Sequence, residues 1–176
     1  LELSSGRFRT RLSLAPADGY PELLVPEGED KGAFPLRTRM PSGELVKALT
    51  HVRYAASNEE YRAIFRGVQL EFSPQGFRAV ASDGYRLALY DLPLPQGFQA
   101  KAVVPARSVD EMVRVLKGAD GAEADLALGE GVLALALEGG SGVRMALRLM
   151  EGEFPDYQRV IPQEFALRVQ VEGEAL

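Results

Sequence analysis

The chain has 176 residues, of which 46% are hydrophobic and 26% charged, and its formal net charge is −5. This composition is typical of a globular protein with one good core, or with one domain and pieces of another. The lack of cysteine excludes disulfides and Cys-ligated metals, and the single histidine, His51, excludes a multi-His centre, so we expect no metal and no cofactor. No apolar run approaches the roughly 20 residues that cross a bilayer, so we expect a cytoplasmic protein that does not contact a membrane.

The predicted elements follow one another in an order that doubles. A strand over Phe34–Met40 precedes a helix that Pro41–Glu44 opens and that runs to about Ala56. A strand over Lys101–Val104 precedes a second helix, which starts after Pro105 with Ser108 as its candidate cap and runs to about Leu116. Further strands are predicted at Ala63–Phe72, Phe77–Ser82, Arg86–Asp91, Ala124–Leu128, Val132–Glu138 and Val143–Leu149, with turns at Ser73–Gly76 and Glu138–Gly142. The order is a doubled βαβββ unit, which predicts an α+β fold in which antiparallel sheets carry helices on one face.

Both predicted helices are amphipathic. The apolar face of the first helix consists of Leu45, Ala48, Leu49, Val52 and Ala56, and its polar face of Lys47, Thr50, His51 and Tyr54. The second helix is expected to bury Val109, Met112, Val113 and Leu116 and to present Asp110, Glu111 and Arg114. Each helix is therefore predicted to pack one face on a sheet and to leave the other in solvent.

A repeat relates the two ends of the chain. Phe8–Leu14 aligns with Val143–Leu149, and each strand-like run is followed by an aromatic-Pro-acid triplet and a Val/Ile-Pro pair, namely Tyr20–Glu22 with Val25–Pro26 and Phe154–Asp156 with Ile161–Pro162. Two unrelated strands that end at similar Pro turns would give the same pattern. The repeat interpretation predicts a segment of a tandem array, with the end of one domain and an acidic linker (Glu27–Ala33) in 1–33, a complete domain in 34–157, and a linker and the start of a third domain in 158–176.

Three segments of the predicted complete domain resemble one known family. Arg62–Gly67 (RAIFRG), Ala79–Ala88 (AVASDGYRLA) and Glu153–Pro162 (EFPDYQRVIP) are together similar to the middle domain of the bacterial DNA polymerase III beta subunit, the sliding clamp. The resemblance implies a DNA-clamp fold, with antiparallel sheets outside and two helices on the inner face. It also implies a processivity factor without catalytic residues, with three such domains per subunit and two subunits per ring around duplex DNA.

The resemblance further implies a hydrophobic pocket between the second and third domains, which binds short segments of the polymerase alpha subunit, the clamp loader and other clamp-motif proteins. These segments end in Leu and Phe-type residues. The matching positions are Phe65, Ser82, Gly84, Tyr85, Arg86, Leu87, Pro155 and Val160. Tyr85 stands where His is common in the family, and Phe65 where Leu is common. Ser82–Tyr85 also has the pattern of a hairpin turn, and such a turn could shape the pocket.

A net negative charge argues against binding of nucleic acid by charge alone. A ring that encircles duplex DNA needs cations only on its inner helices, and the candidates for this role are Lys47, Arg53, Arg107, Arg114 and Lys117. For each of them, an ordinary solvated charge is the alternative interpretation. The full-length protein is expected to form a homodimeric ring, whereas this chain, with one predicted complete domain, is not expected to close one.

Catalytic interpretations have weaker support in the sequence. Glu59–Glu60, Glu151 with Glu153, and Asp156 are carboxylates that are close only along the chain. His51 and Ser57 lack a third member for a hydrolase triad. The main alternative to a clamp is therefore a non-catalytic α+β interaction module unrelated to replication.

Overall fold

The computed structural model describes residues 1–16, 18–19, 32–119, 121–137 and 142–175. At the N-terminal end, β1 (Glu2–Ser5) and β2 (Phe8–Arg11) form an antiparallel hairpin around Gly6. The predicted strand over Phe8–Leu14 therefore ends at Arg11. The first copies of the Pro corner and most of the acidic linker lie outside the described residues.

The rest of the fold consists of two βαβββ units in tandem, as the sequence predicts. The first unit contains β3 (Leu36–Pro41), α1 (Ser42–Arg53), β4 (Gly67–Ser73), β5 (Gly76–Ser82) and β6 (Leu87–Leu92). The second contains β7 (Ala100–Pro105), α2 (Ala106–Lys117), β8 (Glu123–Gly129), β9 (Val132–Leu137) and β10 (Arg144–Arg148). Most predicted strands are confirmed to within two residues; Glu138 and the three residues after it lie outside the described part of the chain.

The two units are interlocked through their first strands. One sheet has the order β6-β5-β4-β7 and the other β10-β9-β8-β3, and all neighbouring strands are antiparallel. Each sheet thus takes three strands from one unit and the first strand of the other. The backbone N–H of Met150 donates to the Val103 carbonyl at 2.8 Å, which ties the segment after β10 to β7.

Each helix begins directly after a proline that ends a strand. Pro41 precedes α1 and Pro105 precedes α2, both with φ near −55° and extended ψ. The fixed φ of proline suits this change from strand to helix. Because the proline side chain has no hydrogen-bonding group, neither helix start carries a side-chain cap. The expectation that Ser108 caps the second helix is wrong, because Ser108 lies inside α2.

The main core lies between the helices and the sheets. Leu45, Leu49 and Val52 of α1 are fully buried, as are Val109 and Met112 of α2. The polar face predicted for the first helix is exposed. Val113 is only half-buried, and α1 ends at Arg53, although Ala56 still packs in the core. No helix in the described ranges is long and apolar enough to cross a membrane.

The strand predicted over Ala63–Phe72 is wrong in its first part. Residues Ala63–Arg66 form a 3₁₀ turn, and β4 begins at Gly67. A Cβ at Gly67 would lie 2.5 Å from Val103 Cγ1 and 2.6 Å from Met150 Sδ, so a larger residue here would force these side chains to shift.

Candidate functional site

A cavity of about 370 Å³ lies between the β5–β6 turn and the segment that follows β10. We call it the β5–β6 pocket. The structure brings all eight residues that the sequence nominated for a pocket into its lining. The full lining consists of Phe65, Ser82, Gly84, Tyr85, Arg86, Leu87, Phe154, Pro155, Tyr157, Val160, Ile161 and Pro162.

The turn at one side of this pocket is held by its own side chains. Asp83 accepts hydrogen bonds from the backbone N–H groups of Tyr85 and Arg86, both at 3.0 Å, and from Arg86 Nε at 2.9 Å. Ser82 Oγ accepts from the Gly84 N–H and donates to the Arg86 carbonyl. The hydrogen bonds from the backbone N–H groups of Arg86 and Tyr85 lower the pKa of the Asp83 carboxyl, because they favour its charged form. These bonds define the shape of the pocket rim.

Gly84 has a φ of +90°, which L side chains rarely adopt. A Cβ at this position would lie 2.5 Å from Arg62 Nη1. The Arg62 guanidinium also lies 5.9 Å from the ring centre of Phe65. Glycine therefore allows the turn, Arg62 and Phe65 to meet at the edge of the pocket.

Apolar side chains form the rest of the lining. Phe65 and Phe154 meet edge to face, with ring centres 6.0 Å apart. Tyr85 and Val160 are 87% and 70% exposed, so neither is used by the core. The pocket thus offers apolar surface with polar groups at its rim, which is the usual design of a binding site.

One residue of the β5–β6 pocket also contacts the end of α1. The Arg86 guanidinium lies 5.8 Å from the ring centre of Tyr54, just after the helix, within the distance of a cation–π contact. Arg86 is therefore positioned both by Asp83 and by Tyr54.

The five nominated cations lie on the two helices. Lys47 pairs with Glu44 at 2.6 Å and Arg114 pairs with Glu111, each within its own helix. The hydrogen bond and the charge of Glu44 raise the pKa of Lys47. Arg107 and Lys117 are exposed.

Arg53 has a different role from the other four. Its Nε donates to the Ala106 carbonyl at 3.0 Å and its Nη2 to Asp110 at 2.8 Å, so it joins the end of α1 to the start of α2. Arg53 and Arg107 also line a cleft of about 300 Å³ together with Arg66. Sequence reasoning missed Arg66, because it treated Ala63–Phe72 as a strand.

The pocket lining contains four residues that the sequence did not nominate. These are Phe154, Tyr157, Ile161 and Pro162. Phe154 lies in the repeated aromatic-Pro-acid triplet, and Ile161 and Pro162 form the repeated Ile-Pro pair. These repeats are a sequence signal from which the three residues could have been nominated. Tyr157 carries no comparable signal.

The sequence nominated no catalytic residue, and His51 and Ser57, which it considered and set aside, make separate local contacts. His51 Nδ1 lies 2.7 Å from the Lys47 carbonyl, and Ser57 Oγ accepts from the backbone N–H of Glu59. In the part of the chain that the structure describes, no three His, Asp or Glu side chains are grouped so that they could hold a metal ion.

The sequence and the fold match a known protein family. The family described as DNA polymerase III beta subunit, central domain, matches residues 39–156. The beta sliding clamp of Haemophilus influenzae is 30% identical over 175 residues, which cover 99% of this chain and 45% of the relative. The beta sliding clamp of Escherichia coli is 29% identical over 160 residues, or 90% of this chain and 41% of the relative. The chain spans less than half the length of these relatives.

Solved structures agree with this match. The DNA polymerase III subunit beta of Pseudomonas aeruginosa has a TM-score of 0.80 and 27% identity, and covers 92% of this chain and 42% of its own. The beta subunit of Thermotoga maritima has a TM-score of 0.77 and 28% identity, and covers 93% and 42%. The architecture is thus an α+β clamp fold. The chain belongs to the family of DNA polymerase III beta subunits, the sliding clamps.

Proposed function

We propose that this chain is the central part of a sliding clamp, the processivity factor of the replicative DNA polymerase. Residues 1–33 would end the first clamp domain, 34–157 form the middle domain and 158–176 begin the third. The full-length protein would form a homodimeric ring around duplex DNA in the cytoplasm. The β5–β6 pocket would bind peptide motifs of the polymerase alpha subunit, the clamp loader and other partners.

The observation that carries this proposal is the composition of the β5–β6 pocket. Residues from three separate stretches, at 65, 82–87 and 154–162, enclose one cavity with apolar walls and donors at the rim. Tyr85 and Val160 expose large apolar surfaces there, which a Leu or Phe side chain of a partner would cover. Gly84 is exposed at the rim of the pocket, where it carries no side chain that a partner backbone would have to avoid.

A fluorescence-anisotropy titration tests the proposal directly. A labelled peptide that ends in the Leu and Phe-type residues of the family's motif is titrated with the chain and with Leu87→Asp. A complete pocket of this kind would give a Kd on the order of micromolar, about 8 kcal/mol, and a pocket that lacks the third-domain wall would bind less tightly. The substitution should abolish binding, because it places a charge in the apolar wall.

Leu3→Asp is the matched control. Leu3 lies in the β1–β2 hairpin, away from the pocket lining, and is also partly exposed. It should bind the peptide as the unchanged chain does. Absence of saturable binding up to about millimolar, roughly 4 kcal/mol, would withdraw the peptide site from this chain. Such a result would leave the clamp fold and the family membership standing.

The exposed faces of α1 and α2 would point toward DNA in this proposal. The two helices together carry five Lys and Arg but only three Asp and Glu, whereas the whole chain has a net charge of −5. Cations are thus concentrated where the ring would meet phosphates. Since three of them are paired with acids, we expect weak contacts, which suit a clamp that slides.

A further inference from the structure

Tyr157 is unusual among its neighbours because it is buried. Among residues 151–174, which the structure describes, every other side chain is exposed or, in the case of Phe154, half-buried. Tyr157 is only 5% exposed. Four residues of this segment besides Tyr157 and Phe154 line the β5–β6 pocket, namely Pro155, Val160, Ile161 and Pro162.

The outer face of one sheet carries a row of alternating charges that crosses all four strands. Lys101 on β7 is the register partner of Glu71 on β4, Glu71 of Arg78 on β5, and Arg78 of Asp91 on β6. The side chains follow the register, with Lys101 Nζ 3.5 Å from Glu71 and Arg78 Nε 2.5 Å from Asp91. Opposite charges directly across neighbouring strands stabilise a sheet. We call these four residues the charge row.

Tyr157 forms hydrogen bonds through its hydroxyl with the two central residues of the charge row. Its hydroxyl donates to Glu71 Oε2 at 3.1 Å and accepts from Arg78 Nη1 at 3.1 Å. Both partners are charged, and hydrogen bonds to charged groups are stronger than neutral ones. Burial of the ring raises the pKa of Tyr157, so its hydroxyl stays protonated and keeps the hydrogen that it donates to Glu71.

We propose that Tyr157 and the charge row form a latch that positions the outer wall of the β5–β6 pocket. This inference rests on the proposed function, because it deepens the role of the same site. Tyr157 does not need to contact the bound peptide through its hydroxyl. It fixes the backbone between Pro155 and Val160, and these two residues then face the β5–β6 turn. Glu71, Arg78 and Tyr157 are positioning residues.

The latch predicts a specific effect of removing one hydroxyl. Tyr157→Phe keeps the ring and its buried contacts but loses both hydrogen bonds. Two bonds to charged partners in a partly buried place imply a loss of about tenfold in peptide affinity. Arg78→Met removes the second half of the latch and keeps the aliphatic stem of Arg78, and it should weaken binding in the same way.

Two measurements separate positioning from a general loss of stability. Because the chain has no cysteine, Gln158→Cys gives a single site for a spin label beside Tyr157. Combination with Tyr157→Phe should raise the mobility of this label without peptide, while the urea midpoint of unfolding changes little. Tyr90→Phe, which removes a hydroxyl from the helix-facing side of the same sheet, should change neither the label nor the affinity.

Label mobility tests the latch, and peptide binding tests the proposed peptide site, so the two proposals can fail independently. If the unchanged chain binds no peptide, the proposed peptide site is withdrawn from this chain, and the label still tests the latch by its mobility. Unchanged label mobility in Tyr157→Phe would overturn the latch. A drop in urea midpoint that accounts for the whole loss of affinity would overturn it as well. In a double-mutant cycle, Tyr157→Phe and Arg78→Met together should weaken binding by less than the product of their separate effects, and full additivity would contradict a shared latch.

Discussion

Gly84 is constrained both by its backbone conformation and by a neighbouring side chain. Its φ of +90° belongs to the region that favours glycine, and the space beside its Cα is occupied by the Arg62 guanidinium. Because that end of Arg62 is flexible, the steric contact can be relieved by a small movement. The backbone conformation cannot be changed without opening the β5–β6 turn.

Replacement of Gly84 by alanine is expected to destabilise the protein by about 1–2 kcal/mol, the cost of placing an L residue in left-handed conformation. Peptide binding should also weaken, because Arg62 moves at the pocket edge. Urea unfolding and the anisotropy titration measure the two effects. Gly97→Ala is the control, since Gly97 has no positive φ and no atom within 4 Å of an added Cβ. Equal urea midpoints for the two variants would contradict the prediction.

At the scale of elements, the pocket turn and the helices are organised by different forces. Pro41 and Pro105 start the helices, and the buried faces of α1 and α2 hold them on the sheets. The β5–β6 turn has little apolar burial and depends on the hydrogen bonds of Asp83. The turn should therefore respond to pH.

Asp83 should stabilise the turn only while it is charged. Its pKa in the folded protein is lowered below the unfolded value of about 3.9, so the stabilisation is present above that pH and is lost as pH falls through the folded value. Asp83→Asn keeps an acceptor oxygen but removes the charge. The urea midpoint of the unchanged chain should exceed that of Asp83→Asn at pH 6, and the difference should shrink toward pH 3.

Glu130→Gln controls for the loss of one negative charge, because Glu130 lies in the exposed turn between β8 and β9, away from the pocket lining. A gap between the unchanged chain and Asp83→Asn that stayed constant over this pH range would show that the charge of Asp83 does not support the turn.

At the scale of the whole molecule, charge is distributed unevenly. The helices are net positive although the chain is net negative, and Glu44 and Glu111 partly neutralise Lys47 and Arg114. Under the proposed function, this pairing would limit the affinity of the helices for DNA, which suits a ring that encloses DNA without binding it tightly.

Neutralising Glu44 and Glu111 should strengthen binding to duplex DNA. Glu44→Gln with Glu111→Gln leaves Lys47 and Arg114 available for phosphates, and each added phosphate contact steepens the dependence of log K on log salt by about 0.9. Anisotropy of a labelled duplex at several low salt concentrations measures both changes. Glu130→Gln with Glu151→Gln alters the net charge equally at exposed positions outside the helices. Equal effects of the two pairs would refute a DNA-facing role of the helices.

The sequence by itself determined the elements and most of the pocket. Helical periodicity, the two prolines and the turn residues predicted the doubled βαβββ order, because these signals depend on near neighbours along the chain. The resemblance nominated eight residues that the structure brings into one cavity. Local pattern failed at Ala63–Arg66, which forms a 3₁₀ turn before β4. The close packing of Val103 and Met150 on Gly67 is equally hidden from local pattern, because both residues are distant in sequence.

Only the tertiary structure decided how distant parts meet. It placed β3 beside β8 and β7 beside β4, so that each unit completes the sheet of the other. It also placed the Tyr157 hydroxyl between Glu71 and Arg78, two residues on neighbouring strands about 80 positions away. The physical reason is that strand register and the docking of an exposed segment depend on contacts between residues far apart in the chain, which no local periodicity encodes.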